Sequence, residues 1–306
     1  MSTGGVVTGG SGASVLVAEA KLTLSLRVTG VRPDGYHLLR SEMVTVDLAD
    51  RLEVSAGSGL TVANEFGAPA AAPSSARGGA PGLATAWPGP GGPDPLGAGT
   101  DNLVSQALAV AGRTARVHLV KRVPPGAGLG GGSADAAAIL RWAGCTEPGV
   151  AARLGADVPF CLEGGRALVG GIGEQVTPLP FVDRSFVLVL LPFGVETAAV
   201  YRAWDELAAR GAVGPAAPAA PGDGDGPGPE VNDLETPAEV VEPRLAVWRQ
   251  RLSDLTGHQP KLAGSGSTWF FEGTPEGLGL GARGRLTFEG EEALVVPVRT
   301  TRGAAG

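Results

Sequence analysis

A glycine-rich segment set between a strand-like run and a helix-like run constrains this chain most: Pro124-Pro125-Gly126-Ala127-Gly128-Leu129-Gly130-Gly131-Gly132-Ser133. Val117, Leu119 and Val123 predict a strand that ends at the prolines. Ser133-Ala134-Asp135-Ala136-Ala137-Ala138-Ile139-Leu140-Arg141-Trp142 is an alanine-rich helix former opening with a residue suited to N-capping. Glycines in that place let the backbone approach an anion without Cβ clashes, while the free N–H groups of the first helical turn point at it. The order strand, loop, helix predicts a phosphate cradle. The plain alternative is a flexible linker in a chain with 50 glycines, and the capped helix directly behind the loop favours the cradle.

Two nucleotide-binding motifs fit less well. Gly126, Gly128 and Gly131 formally satisfy G-x-G-x-x-G, but a dinucleotide fold expects a second strand ending in an acid about twenty residues on. The chain offers Glu147 in the turn-like Gly144-Cys145-Thr146-Glu147-Pro148-Gly149, with no strand before it. A P-loop needs Lys then Ser or Thr after its last glycine, whereas Gly131 is followed by Gly132 and Ser133. Any lysine over the phosphates comes from elsewhere.

Phosphoryl transfer needs a positioned hydroxyl, an acceptor for its proton and positive charge over the phosphates. Lys21 lies in an alternating run, Leu22, Leu24, Leu26 and Val28 against Thr23, Ser25, Arg27 and Thr29, which predicts a half-buried strand with Lys21 and Thr23 on its polar face. Asp157 sits in Leu154-Gly155-Ala156-Asp157-Val158-Pro159-Phe160, a carboxylate among apolar residues. Taken singly, Asp157 reads more simply as a helix cap or turn residue and Lys21 as a solvated strand residue. Asp34-Gly35-Tyr36-His37 is a turn whose aromatic and imidazole could stack on and hydrogen-bond a planar base, or a tight turn with a buried tyrosine. Gly264-Ser265-Gly266-Ser267-Thr268 is either a second anion-facing loop or a hairpin-like turn.

The rest of the 306-residue chain reads as mixed α+β in two domains. Val44, Val46, Leu48, Leu52 and Val54 form a second alternating run, and Phe186 to Leu191 is a strand. Asp101 or Asn102 caps a helix with Leu103, Ala107, Leu108 and Ala111, and Leu245, Trp248, Leu252 and Leu255 share one face of a later helix. The expected organisation is a flexible tail over 1–14, a domain over 15–178 with a disordered Ala/Gly/Pro insertion at 64–99, and a domain over 179–306 with a flexible insertion at 211–229. Net charge -7 gives no pull towards nucleic acid or an anionic membrane, and no apolar run is long enough to span one. Cys145 and Cys161 form no C-x-x-C pair and lie near no metal-type histidine, which predicts no disulfide scaffold, no zinc site and a reduced, cytoplasmic protein, with no metal ligand assigned. Nothing sets an oligomeric state.

Together these blocks resemble the GHMP kinase superfamily and, within it, the 4-diphosphocytidyl-2-C-methyl-D-erythritol kinases of the non-mevalonate isoprenoid pathway. The resemblance rests on Ala20-Lys21-Leu22-Thr23-Leu24, on Val28-Thr29-Gly30 through Arg32-Pro33-Asp34-Gly35-Tyr36-His37, on Pro124 to Asp135, and on Leu154 to Phe160. Gly171-Ile172-Gly173-Glu174, Asn232-Asp233-Leu234-Glu235 and Ala263 to Thr268 follow in the family's order. It implies a two-domain GHMP kinase fold, N-terminally ribosomal-protein-S5-domain-2-like and C-terminally ferredoxin-like, with the ATP site near the domain interface. It implies transfer of the ATP γ-phosphate to the 2-hydroxyl of the methylerythritol moiety, Mg²⁺ accompanying the nucleotide. By carry-over, Asp157 would be the base and Lys21 would polarise the same site. Thr23, Tyr36, His37 and Asp157 would meet the cytidine-diphosphate sugar alcohol, with Tyr36 and His37 on the cytosine. Asn102 would lie near the adenine, and Pro124 through Ser133 with Ala134 would hold the triphosphate.

Two departures stand out. Thr23 replaces the family's usual Asn, which puts a shorter hydroxyl side chain on the catalytic face. The stretch from Ala134 to Leu154 is about nine residues shorter than usual, so a helix behind the loop is expected to be trimmed or lost. The alternatives are another kinase of the superfamily, for homoserine, mevalonate or a sugar, and a catalytically silent nucleotide-binding homologue; an NAD-binding oxidoreductase is disfavoured by the missing ribose-binding acid.

Overall fold

The computed structural model of the chain describes residues 7–9, 13–66, 101–216, 231–281 and 284–303. Strand β1 (Val7–Gly9) pairs with the start of β2 (Ala13–Val31), so the tail expected over 1–14 is sheet where it is described. Of the two expected insertions, 67–99 and 217–229 lie outside the described residues.

The first sheet continues with β3 (His37–Ser55), β4 (Gly59–Asn64), β5 (Arg116–Lys121), β6 (Arg166–Gly171) and β7 (Gln175–Pro178). Its order is β1-β2-β3-β5-β4, with β6 and β7 continuing from the other half of β3. Strand β3 is long enough to serve two partners: Arg51–Ser55 pairs with β5, and Leu39–Val44 with β6. Among the described strands of this sheet only β4 and β5 pair in parallel. Helices α1 (Leu103–Val110), α2 (Gly131–Ala143), α3 (Pro148–Leu154) and α4 (Val158–Glu163) cover one face. There Leu16, Leu52, Val117 and Leu119 bury against Ala134, Ala138 and Phe160.

The second sheet is antiparallel, in the order β11-β12-β8-β10-β9. Its strands are β8 (Ser185–Leu190), β9 (Lys261–Leu262), β10 (Thr268–Glu272), β11 (Arg285–Phe288) and β12 (Glu291–Arg299), and its helices are α5 (Thr197–Ala209), α6 (Glu235–Val241) and α7 (Arg244–Thr256). The apolar run of β8 is explained by burial on both faces. Val187, Val189 and Leu191 pack towards α5, α6 and α7, whereas Phe186, Leu188 and Leu190 pack on Leu22, Leu24, Val44 and Val46 of the first sheet. Each such side chain contributes about 1.5–3 kcal/mol relative to exposure. The layers thus run helices, sheet, sheet, helices, the α+β organisation expected.

That stacking corrects one reading of β2. The alternation at Lys21 to Val28 predicted a half-buried strand, but Lys21, Thr23 and Ser25 are as buried as Leu22, Leu24 and Leu26. The polar face is covered by the glycine loop, whose Leu129 oxygen accepts from Lys21 N at 3.0 Å. Helix α2 behind the loop is present at 13 residues, so it is not lost. Leu255, expected on the buried face of α7, is 37% exposed because it lies in the last turn, beyond Leu252.

Residues after β12 return to the first sheet. Thr301 N donates to Thr45 O at 3.0 Å, and Thr301 Oγ1 donates to Glu19 Oε2 at 3.0 Å. Arg302 O stands 3.0 Å from where a Cβ on Gly165 would lie.

Candidate active site

The glycine loop differs from its sequence reading in where the helix begins. Gly126, Gly128 and Gly130 have φ of 70, 80 and 65°, the left-handed region that glycine enters without penalty. Helix α2 begins at Gly131, capped by Gly130 with no side-chain hydrogen bond. Ser133, expected as the cap, therefore lies inside the first turn. A Cβ at Gly131 would meet Val123 Cβ at 2.9 Å and Lys121 Nζ at 3.0 Å, so the helix starts where only glycine fits. With no side chain in the cap, the first-turn N–H groups stay open to an anion.

The loop is clasped from the second sheet. Thr268 N donates to Ala127 O at 3.2 Å and Ser267 N to Gly126 O at 3.3 Å. A Cβ at Gly128 would sit 2.1 Å from Ala263 O, and one at Gly266 2.0 Å from Gly128 N. The segment Gly264 to Thr268, left open between two readings, is thus a turn packed backbone to backbone on the glycine loop. Ser265 also reaches the cavity, its hydroxyl 2.9 Å from Thr197 Oγ1.

Lys21 and Asp157 meet. Their side chains form an ion pair at 3.3 Å, and Lys21 Nζ also donates to Thr23 Oγ1 at 3.1 Å. Register shifts in the β2–β3 ladder at Glu19/Ala20 and Thr23/Ser25 flank both residues, and such bulges re-aim side chains at functional sites. Asp157 stands at the N-cap of α4, but its carboxylate caps no N–H and is free to face Lys21. Thr23 sits beneath Lys21, 2% exposed, rather than in the cavity lining.

One cavity of about 1290 Å³ is lined by Lys21, Asp157, Tyr36, His37, Asn102 and the loop from Pro124 to Ser133. That volume exceeds a typical single-ligand pocket. Ala134 does not join it: its side chain is 2% exposed in the helix-side core and its N–H donates to Gly130 O at 2.9 Å. Asn102 caps α1, its Oδ1 accepting from Val104 N at 2.9 Å.

At the other end Tyr36 is 58% exposed, not a buried turn tyrosine, and Arg32 stands over its ring at 6.0 Å. His37 Nε2 lies 2.8 Å from Asp205 Oδ1, and its ring is 4.7 Å from that of Tyr201 and edge-on to Trp204 at 5.2 Å. Sequence reasoning missed Tyr201 and Asp205. The signal was there: Val200, Ala203 and Trp204 mark the buried face of α5, and Tyr201 and Asp205, one turn apart, share the strip beside it. It also missed a buried cluster behind the loop, in which Lys121 Nζ donates to Asp50 and, at 2.7 Å, to Asp135.

Comparisons with known proteins place the chain in a family. The family described as GHMP kinases N terminal domain matches residues 102–165, the span from the Asn102 cap through the glycine loop and Asp157. A 4-diphosphocytidyl-2-C-methyl-D-erythritol kinase of Paracoccus denitrificans is 37% identical, covering 83% of this chain and 84% of that one. One from Rhizobium meliloti is 33% identical over 84% of this chain and 85% of its own length. Among solved structures, a 4-(cytidine 5'-diphospho)-2C-methyl-D-erythritol kinase superposes with a TM-score of 0.58 at 28% identity, covering 94% of this chain and 99% of that one. A homoserine kinase from Cytophaga hutchinsonii, at 15% identity and a TM-score of 0.54, shares the fold. With its cradle, its Lys21–Asp157 pair and identity of this extent along most of its length, the chain belongs to the 4-diphosphocytidyl-2-C-methyl-D-erythritol kinase family of the GHMP kinases.

Proposed function

We propose that the chain transfers the γ-phosphoryl group of ATP to the 2-hydroxyl of 4-diphosphocytidyl-2-C-methyl-D-erythritol, a step of isoprenoid precursor synthesis. The observation that carries this is the Lys21–Asp157 ion pair at 3.3 Å, set in one cavity between the glycine loop and the Tyr36–His37 turn. Asp157 accepts the proton of the hydroxyl as its oxygen bonds to the γ-phosphorus. The bond from that phosphorus to the bridging oxygen breaks, and ADP leaves. Lys21 holds the Asp157 carboxylate in place and lends positive charge where negative charge gathers. Thr23 fixes Lys21 Nζ through its hydroxyl, so a contact survives the departure from Asn. His37 and Tyr36, with Tyr201, provide planar faces and a ring nitrogen suited to a pyrimidine.

The loop suits a triphosphate: no side chain caps α2, so the first-turn N–H groups stay open to an anion. No group of three or more His, Cys, Asp or Glu side chains suited to a metal occurs among the described residues. In this reading Mg²⁺ accompanies the nucleotide. No helix among the described residues is long and apolar enough to cross a membrane. The free thiols Cys145 and Cys161 agree with a cytoplasmic setting.

The test is ADP formation from ATP, Mg²⁺ and the cytidylyl substrate by wild type, Asp157→Asn and Lys21→Ala. Asp157→Asn is expected to lose about 10²–10⁴ in kcat and Lys21→Ala about 10²–10³. No ADP above background, with ATP still bound, refutes the kinase reading. A loss below about tenfold for Asp157→Asn removes it as the base. Turnover of homoserine or mevalonate in place of the cytidylyl substrate overturns the substrate alone.

A further inference from the structure

Three buried charged side chains behind the glycine loop take no part in the reaction as derived above. Lys121, Asp50 and Asp135 have side chains 3%, 0% and 4% exposed. Burial of that kind is tolerated only when the groups satisfy one another. Asp50 is satisfied: one oxygen accepts from Lys121 Nζ, the other from the backbone N–H groups of Arg122 and Val123. Asp135 is not. Its Oδ2 accepts from Lys121 at 2.7 Å, but its buried Oδ1 has no partner among the described residues, and Asp135 and Lys121 both line the cavity.

The loop shows which part of a nucleotide that oxygen would meet. A Cβ at Gly130 would lie 2.7 Å from Lys21 Cγ, one at Gly131 3.0 Å from Lys121 Nζ, and one at Gly132 3.4 Å from Leu103 Cδ1, beside Asn102. Successive residues thus face the Lys21–Asp157 pair, then Lys121, then α1. Asp135 follows Gly131 by one helical turn and repeats its face, away from the reacting pair. The first-turn N–H groups take phosphate, whereas the unpartnered Oδ1, an acceptor one helical turn further on, suits a hydroxyl or amino group. Burial raises the Asp135 carboxyl to about 8, with Lys121 opposing and both the charge of Asp50 and its hydrogen bond to Asp135 adding to the rise, so the proton held near neutrality is engaged by Asp50 and Oδ1 is left as an acceptor. The other titratable neighbour is Cys161 of α4, whose thiol burial pushes up to about 12.

We propose that Asp135 contacts the adenosine portion of ATP: its free oxygen hydrogen-bonds the ribose or base, while its other oxygen, through Lys121 and Asp50, ties α2 to the sheet. This rests on the ATP-binding reading above. The experiment is calorimetric titration of the full chain with ADP and, separately, with inorganic tripolyphosphate, for wild type, Asp135→Ala and Asp135→Asn. Asp135→Ala is expected to weaken ADP about tenfold and leave tripolyphosphate within about twofold. Asp135→Asn, a neutral hydrogen-bonding side chain of the same shape, retains ADP within about threefold, and KM for ATP follows ADP affinity with little change in kcat. Asp135→Ala that binds ADP as wild type does, or that loses ADP and tripolyphosphate alike, overturns the inference. Wild type that binds neither ligand refutes the ATP reading itself. Should Asp135→Ala not fold, Asp135→Leu, apolar and of like volume, takes its place with the same expected and overturning results.

Discussion

Gly128→Ala tests the interlock of the two loops. An alanine there would hold φ near 80°, which costs an L-residue about 1–2 kcal/mol. Its Cβ would lie 2.1 Å from Ala263 O, where ordinary contact begins at 3.4 Å, so the loops must part by 3.4 − 2.1, about 1.3 Å. Parting them breaks the hydrogen bonds from Thr268 N to Ala127 O and from Ser267 N to Gly126 O, at about 0.5–1.5 kcal/mol each. The loss of stability is therefore about 2–5 kcal/mol, and displacing the loop by an ångström costs about 10²-fold in turnover. Gly132→Ala is the control for stability. Its Cβ meets only Leu103 Cδ1, at 3.4 Å, inside a helix where alanine is favoured over glycine by about 1 kcal/mol. Urea unfolding of both variants, with ATP affinity and kcat for Gly128→Ala, makes the comparison. If Gly128→Ala unfolds at the same urea concentration as Gly132→Ala and turns over like wild type, the two loops do not bear on each other as argued.

Other consequences are open to direct measurement. Burial raises the Asp135 carboxyl above its unfolded value of 3.8, so its contribution to stability is complete below that value and is lost as pH rises through about 8. Thermal melts of Asp135→Asn and wild type should diverge in favour of the variant from about pH 5 to 9; a constant gap contradicts this. Asp205→Ala frees His37, and KM for the cytidylyl substrate should rise about tenfold with KM for ATP unchanged; equal rises in both would contradict a role in positioning the histidine. In the native protein iodoacetamide should modify the half-buried Cys145 and spare Cys161, whose buried thiol is raised to about 12, as peptide mapping would show.

What the sequence made legible was local. The glycine loop, the strand before it and the helix behind it are neighbours in the chain, so spacing alone located them. Lys21 and Asp157 were found because the loop lacked a lysine and a base was needed, but their meeting depends on bulges in β2 that no hydrophobic pattern reports. The helix start was misplaced because serine is the better cap by propensity, while Val123 and Lys121 crowd Gly131 in a way visible only in three dimensions. Asp205 lies 168 positions from His37, and Asp50 lies 71 from Lys121; pairs so far apart leave no periodic trace. The burial of the polar face of β2 escaped notice for the same reason, since its cover is the distant glycine loop, whose Leu129 oxygen accepts from Lys21 N.

The return of Thr301 to the first sheet sets an order of assembly. Its hydroxyl bonds span 256 positions to Thr45 and 282 to Glu19, and contacts of such separation form late, after the loop entropy of the intervening chain has been met. A chain emerging from the ribosome carries Lys21 out early, yet the sheet that holds it is not finished until residue 301 has been made. Burial raises the Glu19 carboxyl, so until Thr301 arrives an acid two positions from Lys21 lacks its hydrogen bond. Synthesis from one end thus leaves strand β2 without all of its partners until the residues after the last strand of the second sheet have been made.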